Sequence, residues 1–254
     1  AGGHLALTTA KNPAPDGATI LLTPMSILGV YPHTYKRLPY DPVADLAPVS
    51  MGVTYDYGIA VGPAVSESVK TVNDLMAWHK ANPTQANMGS PATGSTLHFV
   101  TVMLGRAAGV SVTHVGYKGS GPAMQDMLGG TLPPICAPLG TFLTQPKVRI
   151  LATSGAKRSR FTPNVPTLVE QGFKDMVYDE WYGFFLPGKT PPPVVNKLNA
   201  SLRSALADKE IVETLATFGM EPGPSSPEQL AASLKADLNR WEPIVKSIGF
   251  SADT

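Results

Sequence analysis

Short apolar runs alternate with amphipathic segments along this chain, and the alternation predicts most of its elements. Thr19 to Thr23, Tyr57 to Val61, Val110 to Val115 and Arg149 to Thr153 are apolar runs of strand length. Between them, apolar residues recur at helical spacing. Thr71 stands as N-cap of a helix whose Val72, Leu75, Met76 and His79 share one face and which Asn82-Pro83 ends. A second helix opens at Ser95 and carries Leu97, Phe99, Val102, Met103 and Ala107. A third runs from Ser120 through Met124, Met127 and Leu128 to the Gly129-Gly130 break. The tail holds two longer helices. Val195, Leu198, Leu202 and Leu206 mark the first. Leu230, Leu234, Leu238, Trp241, Val245 and Ile248 mark the second, which Ser226-Pro227-Glu228-Gln229 starts as a capping box with proline at the first helical position. These stripes are core faces. Strands alternating with helices predict parallel α/β sheets.

Pro/Gly-rich breaks fall at Gly62-Pro63, Leu132-Pro133-Pro134, Leu186 to Pro193 and Gly223-Pro224. The break after Phe185 is the most linker-like, because it separates a strand-rich middle from the two tail helices. With 254 residues the chain has room for one large domain or two smaller ones, and its 43% hydrophobic content suits a globular core. The most apolar early stretch, Thr19 to Val30, is interrupted by Pro24 before it could span a bilayer. A net charge of +1 removes the case for a broad basic nucleic-acid surface, and the cluster Lys157-Arg158-Ser159-Arg160 reads as a solvated loop. Cys136 is alone, so an internal disulfide is excluded, and its place in Ile135-Cys136-Ala137 suggests a buried thiol. His4, His33, His79, His98 and His114 show no metal-ligand spacing, so neither a metal nor a cofactor is expected. The chain starts at Ala1 with neither methionine nor a signal-like segment, which reads as a processed or truncated start.

The chemistry begins at Gly89-Ser90-Pro91-Ala92-Thr93-Gly94-Ser95-Thr96, which has the glycine spacing of a phosphate-cradling loop but Ser95 where such a loop needs lysine. What remains is a small-residue loop opening a helix, suited either to a mild anion such as a carboxylate or to ordinary Ser/Thr capping. His98 lies just inside that helix, where it either faces a ligand or packs and caps locally, the structural role being the favoured one. Tyr117-Lys118-Gly119-Ser120-Gly121 forms a second strand-to-helix turn, which either offers a hydroxyl and a cation to the same crevice or leaves Lys118 solvated. Glu180-Trp181-Tyr182-Gly183 sets an acid beside two aromatics, either a small-molecule pocket wall or a half-buried edge cluster. Ser154-Gly155-Ala156-Lys157 matches the Ser-x-x-Lys pattern of penicillin-binding enzymes, but Lys189-Thr190 continues into proline instead of the glycine of the partner motif.

Several blocks together resemble one family, the periplasmic solute receptors of tripartite tricarboxylate transporters, or Bug receptors. They are Ala14-Pro15-Asp16-Gly17, Tyr35-Lys36-Arg37-Leu38-Pro39-Tyr40-Asp41-Pro42, Ser90 to His98, His114 to Gly119, Asp126 to Gly130, Thr153 to Arg158, Val165-Pro166-Thr167, Trp181 to Pro187 and the Trp241 helix. The resemblance implies an α/β, two-domain, type II periplasmic-binding-protein fold with a hinged ligand cleft. Domain one would comprise 1–57 and 183–254, and domain two 58–182. It implies a non-enzymatic, extracytoplasmic solute-binding protein, periplasmic and monomeric, that captures a small organic carboxylate for the membrane components of a tripartite transporter. By that likeness Ser90, Gly94, Ser95 and Thr96 hold the anion, while Tyr117, Thr23, Ser26, Glu180 and Trp181 shape the rest of the site.

The family's second grip lies in a Gly-Gly-containing block that has no counterpart here, since Ala1-Gly2-Gly3 aligns only with the start of the family's next helix. The family's N-terminal strand and helix are therefore expected to be missing from this chain. Ala137-Pro138 replaces an Asp-Asn pair found in many members, which argues against an amino-acid ligand, and Thr23-Pro24-Met25-Ser26 differs from the common Gly-Thr. Two alternatives stay open: a serine hydrolase using Ser154 and Lys157, and a receptor-derived sensor partner of a membrane signalling protein.

Overall fold

The computed structural model describes residues 3–252. In chain order the elements are α1 (His4–Lys11), β1 (Leu21–Pro24), α2 (Tyr31–Thr34), β2 (Leu46–Val61), α3 (Val72–Ala81), β3 (Asn87–Ser90), α4 (Thr96–Ala107), β4 (Thr113–Gly116), α5 (Ser120–Leu128), β5 (Pro134–Pro138), β6 (Arg149–Thr153), β7 (Asp179–Pro187), α6 (Pro192–Leu206), α7 (Lys209–Thr217), β8 (Glu221–Pro222) and α8 (Pro227–Ile248). They fall into two compact units. One holds 1–54, 180–216 and 220–254, and the other 55–179 and 217–219. β2 and β7 carry the chain from one unit to the other.

In the first unit β1 pairs antiparallel with β7, which lies beside β2, and β2 pairs antiparallel with β8. α8 packs on the helical stretch after β1, with Leu230, Leu234, Trp241 and Val245 buried. Its start is a true capping box: the Ser226 hydroxyl accepts from the Gln229 amide, and Gln229 Oε1 accepts from the Ser226 amide. α6 contributes Val195 to a cluster with Val49 and Leu186.

In the second unit the sheet runs β6, β2, β5, β3, β4. The two βα crossovers, β3-α4-β4 and β4-α5-β5, produce its parallel pairs, β3 with β4 and β3 with β5. The remaining pairs, β2 with β5 and with β6, are antiparallel. The expectation of parallel sheets is therefore corrected to mixed sheets, because the long strand β2 enters this unit against the direction of its neighbours. The core is formed by Ala60, Ala123, Met127, Ile135 and Phe142. α3 begins at a capping box on Thr71 and Asp74 and buries Val72, Leu75, Met76 and His79, the face its spacing predicts. Cys136 is fully buried on β5, and burial pushes its thiol far above the ordinary range.

Several elements differ from the sequence expectation, among them β5 and β8, which no predicted strand covers. β2 is sixteen residues long, where only its end, Tyr57 to Val61, reads as an apolar run. β7 spans the Glu180-Trp181-Tyr182-Gly183 block, so that block is strand. α7 is a third helix in the tail, with no buried residue. A helical stretch over 25–34 follows β1 directly, past Pro24 and through Pro32, and its first part is wound as a wider, i→i+5 turn at Ser26–Val30.

Candidate functional site

The site residues in the second unit lie where two adjacent parallel strands end and their helices begin, the edge at which open α/β sheets collect ligands. Gly89 and Ser90 close β3, and residues 91–95 turn into α4. Gly94 has φ +79, a left-handed conformation that only glycine adopts without strain. Ser95 is the N-cap residue of α4 by position, yet its hydroxyl donates back to the Ala92 carbonyl at 2.7 Å and makes no cap bond. α5 starts on Gly119, φ +103, also without a side-chain cap. α3 and α8 are closed by capping boxes, whereas the N-cap Ser95 forms no side-chain cap bond at the start of α4. Such a helix start favours an anion through its N–H groups and its dipole.

The two turns are stitched together. The Tyr117 amide donates to the Ser90 carbonyl at 2.9 Å, and the Gly119 amide to the Pro91 carbonyl at 2.9 Å. Thr93 Oγ1 sits against Gly116, where a Cβ has no room. Ser90, Ser95 and Thr96 are buried beside one another along this turn. The Gly94 amide donates to His98 Nδ1 at 3.1 Å, so Gly94 supports the loop and not an open N–H. The Tyr117 hydroxyl donates to Asp126 Oδ2 at 2.7 Å, which together with burial pushes its ionisation up to about 12; Lys118 is exposed.

In the first unit Thr23, Ser26, Glu180 and Trp181 are all buried. The Ser26 amide donates to Glu180 Oε1 at 2.6 Å, and the Ser26 hydroxyl lies 2.8 Å from both carboxylate oxygens. Burial raises the Glu180 carboxyl to about 7, against the pull of the Ser26 bonds. Trp181 Nε1 donates to Asp237 Oδ2 at 2.9 Å. The Thr23 hydroxyl, 1% exposed, has no protein partner among the described residues. Glu180 and Trp181 are thus held by internal bonds, and Thr23 offers an unsatisfied buried hydroxyl.

Sequence reasoning passed over His114. It stands on β4 two residues before the register partner of Ser90, and its Nε2 is 2.7 Å from Ser90 Oγ. No local motif marks it; only the pairing of β3 with β4 brings it there.

Ser154 does not carry the hydrolase geometry. It is 2% exposed, its hydroxyl donates to the Tyr178 carbonyl and accepts from the Tyr57 amide, and 154–157 form no helix that would set Lys157 one turn away. Among the described residues no group of three or more His, Cys, Asp or Glu could hold a metal ion, and no helix is long and apolar enough to cross a membrane.

Comparison with known proteins adds to this geometry. The profile described as "Tripartite tricarboxylate transporter family receptor" matches residues 1–250. The structure of the periplasmic binding protein BugD is 30% identical, with TM-score 0.89, covering 100% of this chain and 85% of its own. R. palustris Rpa4515 with adipate is 28% identical, TM-score 0.91, covering 99% and 84%. MatC from Rhodopseudomonas palustris with bound malate is 27% identical, TM-score 0.84, covering 96% and 85%.

Proposed function

Because this chain belongs to the tripartite tricarboxylate transporter receptor family, we propose that it is an extracytoplasmic, periplasmic receptor that captures a small organic carboxylate unchanged. It then presents that ligand to the membrane components of a tripartite transporter. The observation that carries the reading is the start of α4. Its N-cap hydroxyl is turned back onto Ala92 and makes no cap bond, beside the buried Ser90 and Thr96. A carboxylate supplies the acceptor that the missing cap would have been. The adipate and malate bound by the two related structures are of the same chemical class. Tyr117 acts by holding this turn through Asp126; within the first unit, Ser26 and Glu180 hold each other and Asp237 holds Trp181, while the Thr23 hydroxyl is a candidate polar contact of that unit.

The energy scale suffices: three or four charge-assisted hydrogen bonds at about 1.5–3 kcal/mol each, less ordering costs, reach the roughly 8 kcal/mol of a micromolar complex. Ser90 Oγ stands 2.7 Å from His114 Nε2, a hydroxyl beside an imidazole, so the ester arm of the test below is what separates binding from turnover. Calorimetric titration with adipate, malate, a tricarboxylate, a monocarboxylate and the diamide of adipate tests the proposal. Heat from at least one acid and none from the amide is expected. Equal binding of acid and amide, or release of product from a bound ester, overturns it.

A further inference from the structure

Behind the loop at 91–95 two imidazoles stack, His98 of α4 on His114 of β4, with ring centroids 3.8 Å apart. Each is bonded to one end of the loop. His98 Nδ1 accepts the Gly94 N–H at 3.1 Å, and His114 Nε2 lies 2.7 Å from Ser90 Oγ. A ring nitrogen that accepts an N–H carries no proton, so His98 is neutral with its proton on Nε2. If His114 Nε2–H donates to Ser90 Oγ, the Ser90 hydroxyl proton is left to a ligand.

The geometry points to a positioning role: His98 and His114 hold the loop in its binding shape only while both rings are neutral, so that acid loosens the grip and releases the carboxylate. This rests on the carboxylate reading of the same loop. A proton on His98 Nδ1 would face the Gly94 N–H head on. Two imidazolium rings at this stacking distance would repel each other. α4 packs on β3, β4 and β5. β3 has no titratable side chain, β4 only His114, β5 only the buried Cys136, and α4 itself adds only Arg106 in its last turn. α5, packed on β3 and β5, carries Asp126, which is engaged by Tyr117, and the Tyr178 hydroxyl meets Met103 of α4. No carboxylate sits on α4, β3, β4 or β5 to stabilise an imidazolium. Burial accordingly pushes His98 down to about 4, and burial plus the neighbouring ring push His114 to about 3.

The sign follows. Rings with depressed values in the closed loop take up protons at their ordinary 6.5 once the loop opens, so falling pH favours the open loop. Each ring contributes up to about tenfold in affinity per pH unit, and the pair up to about a hundredfold.

The test titrates adipate and malate into the wild-type chain and into His98→Asn between pH 7.5 and 4.5. Asparagine offers an oxygen near the Nδ1 position and cannot titrate. Wild-type affinity is expected to fall at least about tenfold from pH 7 to pH 5. His98→Asn should bind within about threefold of wild type at pH 7 and lose about half of that fall on a logarithmic scale, His114 supplying the rest, whereas His98→Phe should bind at least about tenfold more weakly at pH 7. Protonation of the ligand itself is common to all three proteins and cancels. A His98→Asn curve parallel to wild type overturns the proposal. If the wild type binds no carboxylate at any pH, the receptor reading fails, and 15N spectra of the unliganded wild type decide on the pair; they also decide if the variants do not fold. A Gly94 amide that shifts with a depressed His98 titration upholds the pairing. A His98 that titrates at its ordinary value with the Gly94 amide unmoved refutes it.

Discussion

The Ser26 amide donates to the Glu180 carboxylate at 2.6 Å, so the helical turn that follows β1 already holds an internal, buried acid. The chain therefore treats its helix starts in three ways. α3 and α8 are closed by their own capping boxes, the turn at Ser26 by a carboxylate from β7, and α4 by no side-chain cap. α1, α5 and α6 also start without a side-chain cap bond, and among these starts that of α4 follows the hydroxyl-rich turn at 90–96.

Glu180 ties stability to pH. Its carboxyl rises from an ordinary 4.5 to about 7 on folding, because burial disfavours the charged form more than Ser26 favours it. The folded state thus binds this proton more tightly than the unfolded chain. The contribution is fully present below about pH 4.5 and is lost as pH rises through 7, amounting to roughly 3 kcal/mol at most. Glu180→Gln should therefore equal or exceed wild type in melting temperature at pH 8 and lose that advantage at pH 5. Parallel melting curves across this range would contradict the assignment.

Ser154 is predicted to serve the fold alone. Its hydroxyl joins the Tyr57 amide on β2 to the Tyr178 carbonyl, both buried. Ser154→Ala leaves those groups unpaired and should cost about 1–3 kcal/mol in urea unfolding. Carboxylate affinity should stay within about twofold and background ester turnover should not change. A loss of ester cleavage in this variant would revive the hydrolase alternative.

Local signals in the sequence carried most of the helices and the apolar strands β1, β4 and β6, but not the long strands. The Thr71 and Ser226 boxes, the Asn82-Pro83 stop and the Gly129 break mark boundaries because each satisfies or removes a backbone group within a few residues. β2 and β7 were hidden for the opposite reason. The first half of β2 mixes buried and half-buried positions, and β7 starts with two acids, so neither shows a clean period. At the site, the loop at 90–96 was legible from its glycine and hydroxyl residues. The bonds of Ser90 with His114 and of Ser26 with Glu180 span 24 and 154 residues, and no spacing rule reaches that far.

Two glycines near the helix starts should respond in opposite directions. Gly94 has φ +79, so Gly94→Ala places a Cβ in the left-handed region at a cost of about 1–2 kcal/mol and disturbs the Gly94–His98 bond. Gly121 is helical, near the start of α5, with open space where a Cβ would lie. Gly121→Ala should therefore stabilise by about 0.5–1 kcal/mol. Chemical denaturation of both variants checks the stabilities, and calorimetry with the best-bound acid checks function. Only Gly94→Ala should weaken binding.

The last prediction sets two serines against each other. Ser226 and Ser95 both occupy the N-cap position of a helix, but Ser226 accepts the Gln229 amide at 3.2 Å, whereas Ser95 donates to Ala92 at 2.7 Å within its own loop. Ser226→Ala removes a working cap from α8 and should cost about 1 kcal/mol of stability with carboxylate affinity unchanged. Ser95→Ala removes no cap from α4, so it should cost less stability than Ser226→Ala. It frees Ala92 and loosens the turn beside the α4 amides, however, so affinity should drop by about tenfold, the loss of one hydrogen bond of about 1.4 kcal/mol. Thermal melts and calorimetric titrations on the two variants give a crossed result if the α4 start is the grip. Equal melting shifts with affinity untouched in both would mean that Ser95 is an ordinary loop residue and that the carboxylate is held elsewhere.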